Sequence, residues 1–159
     1  MFLKTVTELD VDFDRVRAAL VGRPHRWLEG LADAAEAEGG RLLVDVGLDL
    51  GGREVTRHAW LEVGEAVASD RIASLPLGLH VESPEWLFPS LEGSLDAAWL
   101  GHGRTHLALT AQYAPPFGLV GRVVDRALLH RVAEAVAQRF VEGVARELAT
   151  GAAPAGRLD

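Results

Sequence analysis

The sequence predicts an α+β domain in which an antiparallel sheet of about six strands is covered by one long C-terminal helix. Three observations lead there. Five consecutive segments between residues 41 and 113 alternate apolar and polar side chains with period two, the mark of half-buried strands. One segment, 117–149, has a period of 3.6. The other helical patterns lie between the first strand and this block. Strands in a run followed by a single helix give α+β rather than a parallel α/β sheet, and a sheet with one apolar face must cover it.

The elements follow in order. "FLKTVTEL" (2–9) is rich in Thr, Val and Leu and reads as a first strand. Asp12 is placed to cap a helix, "FDRVRAALV", that Gly22 ends. Pro24 opens a second predicted helix, "PHRWLEGLADAAEAEG", with Trp27, Leu28, Leu31 and Ala35 on one face and Gly39-Gly40 closing it. In "RLLVDVGLDL", Leu42, Val44, Val46, Leu48 and Leu50 alternate with Leu43, Asp45, Gly47 and Asp49, and Gly51-Gly52 supply a hairpin turn. "REVTRHAWLEVG" (53–64), "RIASLPLGLHVE" (71–82), "LEGSLDAAWLG" (91–101) and "RTHLALTAQY" (104–113) continue an antiparallel meander. Its last hairpin turns on "GHG", while "SPEWLFP" (83–89) is longer than a simple turn. Pro76 lacks an amide proton and predicts an edge position or a bulge in its strand. Pro115 and Pro116 stop the last strand, and Gly118 and Gly121 let the chain turn into the final helix. That helix carries Leu129, Val132, Ala133, Val136, Phe140 and Val144 as one stripe, with Arg131, Glu134, Gln138, Glu142 and Arg146 facing away. At 1.5 Å per residue it is about 45 Å long, enough to cross a sheet. The expectation is a single domain over 1–149 and a disordered tail over 150–159.

Composition narrows the function. The chain has 159 residues, 48% hydrophobic and 25% charged, an ordinary globular balance. A net charge of −7 argues against a nucleic-acid groove or an anionic membrane surface, both of which need a basic face. There is no Cys, so disulfides, thiolate catalysis and Cys-ligated metals are excluded. The N-terminal "MFLKTVTELDVD" meets acidic residues too early for a signal peptide, and no apolar run reaches the length of a membrane span. A cytoplasmic protein is expected.

The element order, together with "FPSLEGSL", "TAQYAPPFGLVGRVVDRALLHR" and the "VGE" that ends a central strand, resembles the SRPBCC superfamily of START-like and polyketide-cyclase-like proteins. The resemblance implies the helix-grip fold, a curved antiparallel sheet wrapped around the C-terminal helix, with a hydrophobic cavity between them. It implies binding of lipids, sterols, polyketides or plant hormones; a minority of members are cyclases, aromatases or dehydratases. No single catalytic motif runs through the family. The favoured partner is accordingly a small hydrophobic molecule, with no cofactor. The alternatives are a cyclase, dehydratase or hydrolase acting on a polyketide-like substrate, and an interaction module whose cavity is filled by its own side chains.

The residues offer their own candidates. Leu91, Gly93, Leu95, Ala97 and Trp99, then Leu107, Leu109, Ala111 and Tyr113, share the apolar parity of two strands. Small residues among large ones either let the helix approach closely or leave volume for a ligand. Leu95, Trp99, Leu109, Tyr113, Leu129 and Val136 are the candidate wall residues, with the Tyr113 hydroxyl as a polar handle. Arg57 shares parity with Val55, Ala59 and Leu61. Buried, its guanidinium would need a partner and could orient an anionic head group; a register slip would leave it in solvent.

Asp125 and His130 begin the long helix, but five positions mean about 500° of rotation, so they do not share a face. Asp125 falls near the apolar stripe, where it could act as a base at the cavity mouth; the ordinary reading is a first-turn carboxylate paired with Arg122 or Arg126. His130 lies at the stripe's edge, closer to Arg126 and Glu134. His102 and His106 lack a third ligand of matched spacing, so no metal site is expected. His58 and His80 lie on polar parity and would meet only if their strands paired in register. Nucleophile-elbow and phosphate-loop motifs are absent.

Overall fold

The computed structural model describes residues 2–22, 24–29, 37–38, 41–49, 54–81, 90–114 and 126–151. The elements are β1 (Phe2–Leu9), α1 (Phe13–Gly22), α2 (Pro24–Glu29), β2 (Ala37–Glu38), β3 (Arg41–Asp49), β4 (Glu54–Val63), β5 (Val67–Ala68), β6 (Ile72–Val81), β7 (Ser90–Gly101), β8 (Arg104–Ala114) and α3 (Arg126–Gly151). The strands form one antiparallel sheet in the order β1-β8-β7-β6-β4-β3-β2, with β5 pairing beside β6. The six long strands are β1, which composition predicts, and the five that alternation predicts. β8 ends at Ala114, immediately before Pro115.

Local chemistry sets the boundaries. The Asp12 carboxylate accepts the amide of Asp14 at 3.1 Å, satisfying one of the donors that the start of α1 leaves without a helical partner. The His102-Gly103 turn joins β7 to β8, with positive φ at Gly101 (136°) and Gly103 (69°), where a β-carbon would be strained. Two short pairings were not expected. Ala37 and Glu38 stand opposite Leu42 and Arg41, so the helix expected over 24–39 does not reach its predicted end. At Ala37 and Glu38 strand pairing overrides the helix preference of Ala and Glu, and Gly39-Gly40, expected to close that helix, lie outside the described residues. The second is β5, against Ser74 and Ala73.

Pro76 shows why a proline is tolerated mid-sheet. β4 pairs with β6 only from Val81 back to Leu77, and β5 resumes at Ser74. In the gap the Gly64 amide donates to the Pro76 carbonyl at 2.9 Å. A strand residue presents its nitrogen and carbonyl to the same side. The missing proton of Pro76 therefore faces this irregularity, and the ladder to β7, where Pro76 stands opposite Ser94, loses no donor.

Among the described side chains, odd-numbered residues such as Leu3, Leu61, Leu77, Ala97 and Ala111 are buried on the inner face of the sheet, whereas Trp99 near the end of β7 is not. Leu75, Leu95 and Leu107 are completely buried on that face, each contributing about 1.5–3 kcal/mol of burial free energy. Phe13, Val16 and Leu20 of α1 join them where α1 crosses β6, β7 and β8. Thr105, the buried polar residue of this region, donates its hydroxyl to the Val11 carbonyl at 2.8 Å. α3, 26 residues and about 39 Å long, lies mainly along β1, touches β8 and reaches β3. It buries Ala137, Val141, Val144 and Leu148. The stripe is thus rotated from the predicted one, for Phe140 is only half-buried, and Gln138, expected in solvent, hydrogen-bonds Thr5 of β1. The displacement of α3 toward the β1 edge accounts for both.

At Gly93 of β7 there is no room for a side chain beside β8. A β-carbon there would sit 2.1 Å from the Thr110 carbonyl oxygen and 2.8 Å from the Ala111 β-carbon. Only glycine permits that approach.

Candidate functional site

The inward face of the sheet divides into two ends. At the α1 end, Leu75 and Leu95 are fully buried, and Leu109, which stands opposite Leu95, is nearly so. At the other end the register sets Tyr113 opposite Leu91, Leu91 opposite Leu79 and Leu79 opposite Leu61. Tyr113 and Leu61 are buried, yet Leu79 and Leu91 between them are only half-buried although they point inward. The next row holds Gly93 and Ala111, the smallest residues available.

Here the phenol of Tyr113, 3% exposed, lies 3.3 Å from Nδ1 of His130 on α3. The two rings are nearly parallel, 22° apart, with centroids at 6.3 Å. The other ring nitrogen of His130, Nε2, is 3.2 Å from Oε1 of Glu134, one turn further along the helix. Exposure rises along this chain, from the buried phenol through the imidazole, 35% exposed, to the carboxylate at 58%. Glu134 also lines a cleft of about 330 Å³ between β1 and α3, together with Lys4 and Gln138. A hydrogen-bonded path thus runs from the apolar interior to solvent.

The other sequence candidates are placed as follows. Leu95 and Leu109 pack in the core beneath α1. Trp99 stands eight residues along β7 from Leu91, about 25 Å away, and is 42% exposed, its ring under the Arg71 guanidinium at 5.0 Å and edge-on to His102. The fold does not bring it beside Tyr113. The backbone of Arg57 pairs with Val46, two positions from Ala59, in the register that parity implies. The side chains of Arg57, Leu129 and Val136, and the whole of Asp125, lie outside the described residues. His80 stands opposite Trp60 rather than His58, and it approaches Glu62 at 4.0 Å. Among the described residues no group of His, Asp and Glu is arranged to hold a metal ion.

A larger concavity of about 670 Å³ occupies the opposite, outward face, where Gly64, Pro76 and Gly78 put no long side chain on the surface. Glu62, His80 and Glu92 border it. It is distinct from the hollow expected between sheet and helix.

The Tyr113–His130 contact was missed by sequence reasoning, which treated the two separately. The available signal was a tyrosine on inward parity just before the proline hinge, whose hydroxyl needs a partner when buried, with a histidine on the first turns beyond the hinge.

The sequence matches no protein-family model and no curated protein. Solved structures do match. A conserved protein from Geobacillus kaustophilus superposes with a TM-score of 0.63 at 17% identity, covering 95% of this chain and 97% of the other. The Zhui aromatase/cyclase from Streptomyces sp. R1128 gives 0.58 at 18% identity, with 98% of both chains covered. A START superfamily protein from Mycobacterium smegmatis gives 0.54 at 11% identity, covering 95% and 96%. The architecture is therefore the helix-grip fold, as the motifs led one to expect. Among the described residues no helix is long and apolar enough to cross a membrane.

Proposed function

We propose that the protein holds a small hydrophobic molecule, lipid- or polyketide-like, between the sheet and α3. The observation that carries this reading is the pair Leu79 and Leu91, inward-pointing leucines left half-buried beside Gly93 and the buried Tyr113. Interiors normally pack to a density of about 0.75, so inward leucines that keep accessible surface mark unfilled space. Tyr113 supplies the polar handle that fixes orientation within apolar walls. The shared fold with an aromatase/cyclase and a START superfamily protein agrees with such a hollow.

Native mass spectrometry of the purified protein, with thermal shifts over a panel of lipophiles including 1-aminoanthracene, tests the reading. A ligand present at a hundred times its Kd stabilises the folded state by about 2.7 kcal/mol, a clear rise in Tm. Absence of both a co-purifying molecule and any shift refutes the proposal and favours a core filled by its own side chains.

A further inference from the structure

We infer that Tyr113, His130 and Glu134 form a proton relay that takes a proton from the carbon next to a carbonyl in an apolar ligand held against Leu91. This rests on the binding reading and adds a reaction to it. The direction of the relay follows from its last member. An ionised carboxylate only accepts hydrogen bonds, so Glu134 places the proton of a neutral His130 on Nε2. Nδ1 is then a lone pair, and it faces the Tyr113 hydroxyl. The near-parallel ring stack and the carboxylate hold the imidazole in that orientation. The arrangement has the logic of a nucleophile–histidine–carboxylate triad with a phenol in the first place, which suits it to moving protons.

The step balances. The Tyr113 oxygen takes the α-proton as its own proton passes to Nδ1. The C–H and phenol O–H bonds break, a new phenol O–H and an N–H form, and the C–H electron pair moves onto the carbonyl oxygen as an enolate. The renewed phenol can donate to that enolate, and the imidazolium is balanced by Glu134. Return of the proton, or its loss through the cleft that Glu134 lines, completes the cycle. The row Tyr113, Leu91, Leu79 sets the ligand class, an apolar ketone whose reacting carbon reaches the phenol.

Deuterium uptake by 2-tetralone in deuterium oxide, followed by mass spectrometry, tests this without any cofactor. Binding of 2-tetralone is read separately by tryptophan fluorescence. The intact protein should accelerate uptake over buffer by about a hundredfold or more, the usual range for a positioned acid–base group. Tyr113→Phe and His130→Gln should return uptake to the buffer rate while 2-tetralone still binds. Glu134→Gln should slow it by about tenfold, since the amide keeps a hydrogen bond but not the charge. If the intact protein binds 2-tetralone without accelerating uptake, the relay is refuted and the binding reading stands. Full uptake in Tyr113→Phe or His130→Gln refutes it equally. Failure to bind 2-tetralone overturns the relay, whereas the lipophile panel alone decides the binding reading. Should Tyr113→Phe fail to fold by circular dichroism, His130→Gln, on a partly exposed helix face, decides the question.

Discussion

Tyr113 and His130 meet at 3.3 Å across the boundary between β8 and α3, seventeen residues apart in the chain. The contact couples the last strand to the terminal helix. A double-mutant cycle of Tyr113→Phe and His130→Gln isolates that coupling from every other interaction either residue makes. The expected interaction energy is about 0.5–1.5 kcal/mol, the net value of one hydrogen bond between neutral groups. Strictly additive denaturation free energies would show that the contact contributes nothing.

Gly93 and Gly78 are both strand glycines, and the geometry predicts opposite outcomes for them. At Gly93 an added β-carbon meets backbone at 2.1 Å and 2.7 Å, which neither strand can yield without breaking the ladder. Gly93→Ala should destabilise by about 3 kcal/mol or leave the protein insoluble. At Gly78 the nearest atom is Nε2 of the His80 side chain at 3.4 Å, which can turn aside. Gly78→Ala should change stability by less than about 0.5 kcal/mol in urea denaturation.

These two glycines also show how far the sequence could be read. The alternation in 41–49, 54–63 and 104–113 located strands to within a residue or two, because a half-buried strand must alternate wherever one face is wet. Pro76 announced its irregularity because a proline cannot donate. The short pairings at Val67–Ala68 and Ala37–Glu38 were invisible, since two residues carry no period. The rotation of the α3 stripe toward Ala137 and Val141 depends on where the helix lies against β1, a tertiary choice. So does the site. His130 and Glu134 are neighbours by helical spacing, but that the third member is Tyr113 depends on where α3 lies against β8.

Thr105 anchors the segment between β1 and α1. It is completely buried, and its hydroxyl is bonded to the Val11 carbonyl. Thr105→Val keeps the shape but strands that carbonyl, which should cost about 1–3 kcal/mol. Thr105→Ser retains the bond and loses one methyl group, about 1 kcal/mol. The order of the two urea midpoints, valine below serine, is the checkable outcome. The reverse order would make packing, not the hydrogen bond, the role of this residue.

Leu91→Trp separates a hollow from a packed core most directly. Leu91 points inward between Tyr113 and Leu79 and is only half-buried. If ligand-sized space lies before it, an indole enters that space and gains contacts the leucine lacked. Stability then changes by less than about 1.5 kcal/mol, because nothing is overpacked. The same indole occupies the volume a ligand would use, so 1-aminoanthracene affinity should fall by about tenfold or more, a loss of about 1.4 kcal/mol. If side chains already fill the region, the extra volume forces neighbours off their rotamers and costs about 1–3 kcal/mol, with no probe binding to lose. Leu95→Ala provides the comparison at the sealed end. Leu95 is fully buried there, so truncation should cost about 2–5 kcal/mol while leaving probe affinity nearly unchanged. Stability and binding are thus expected to respond at different ends of one sheet, which a uniformly packed core would not allow.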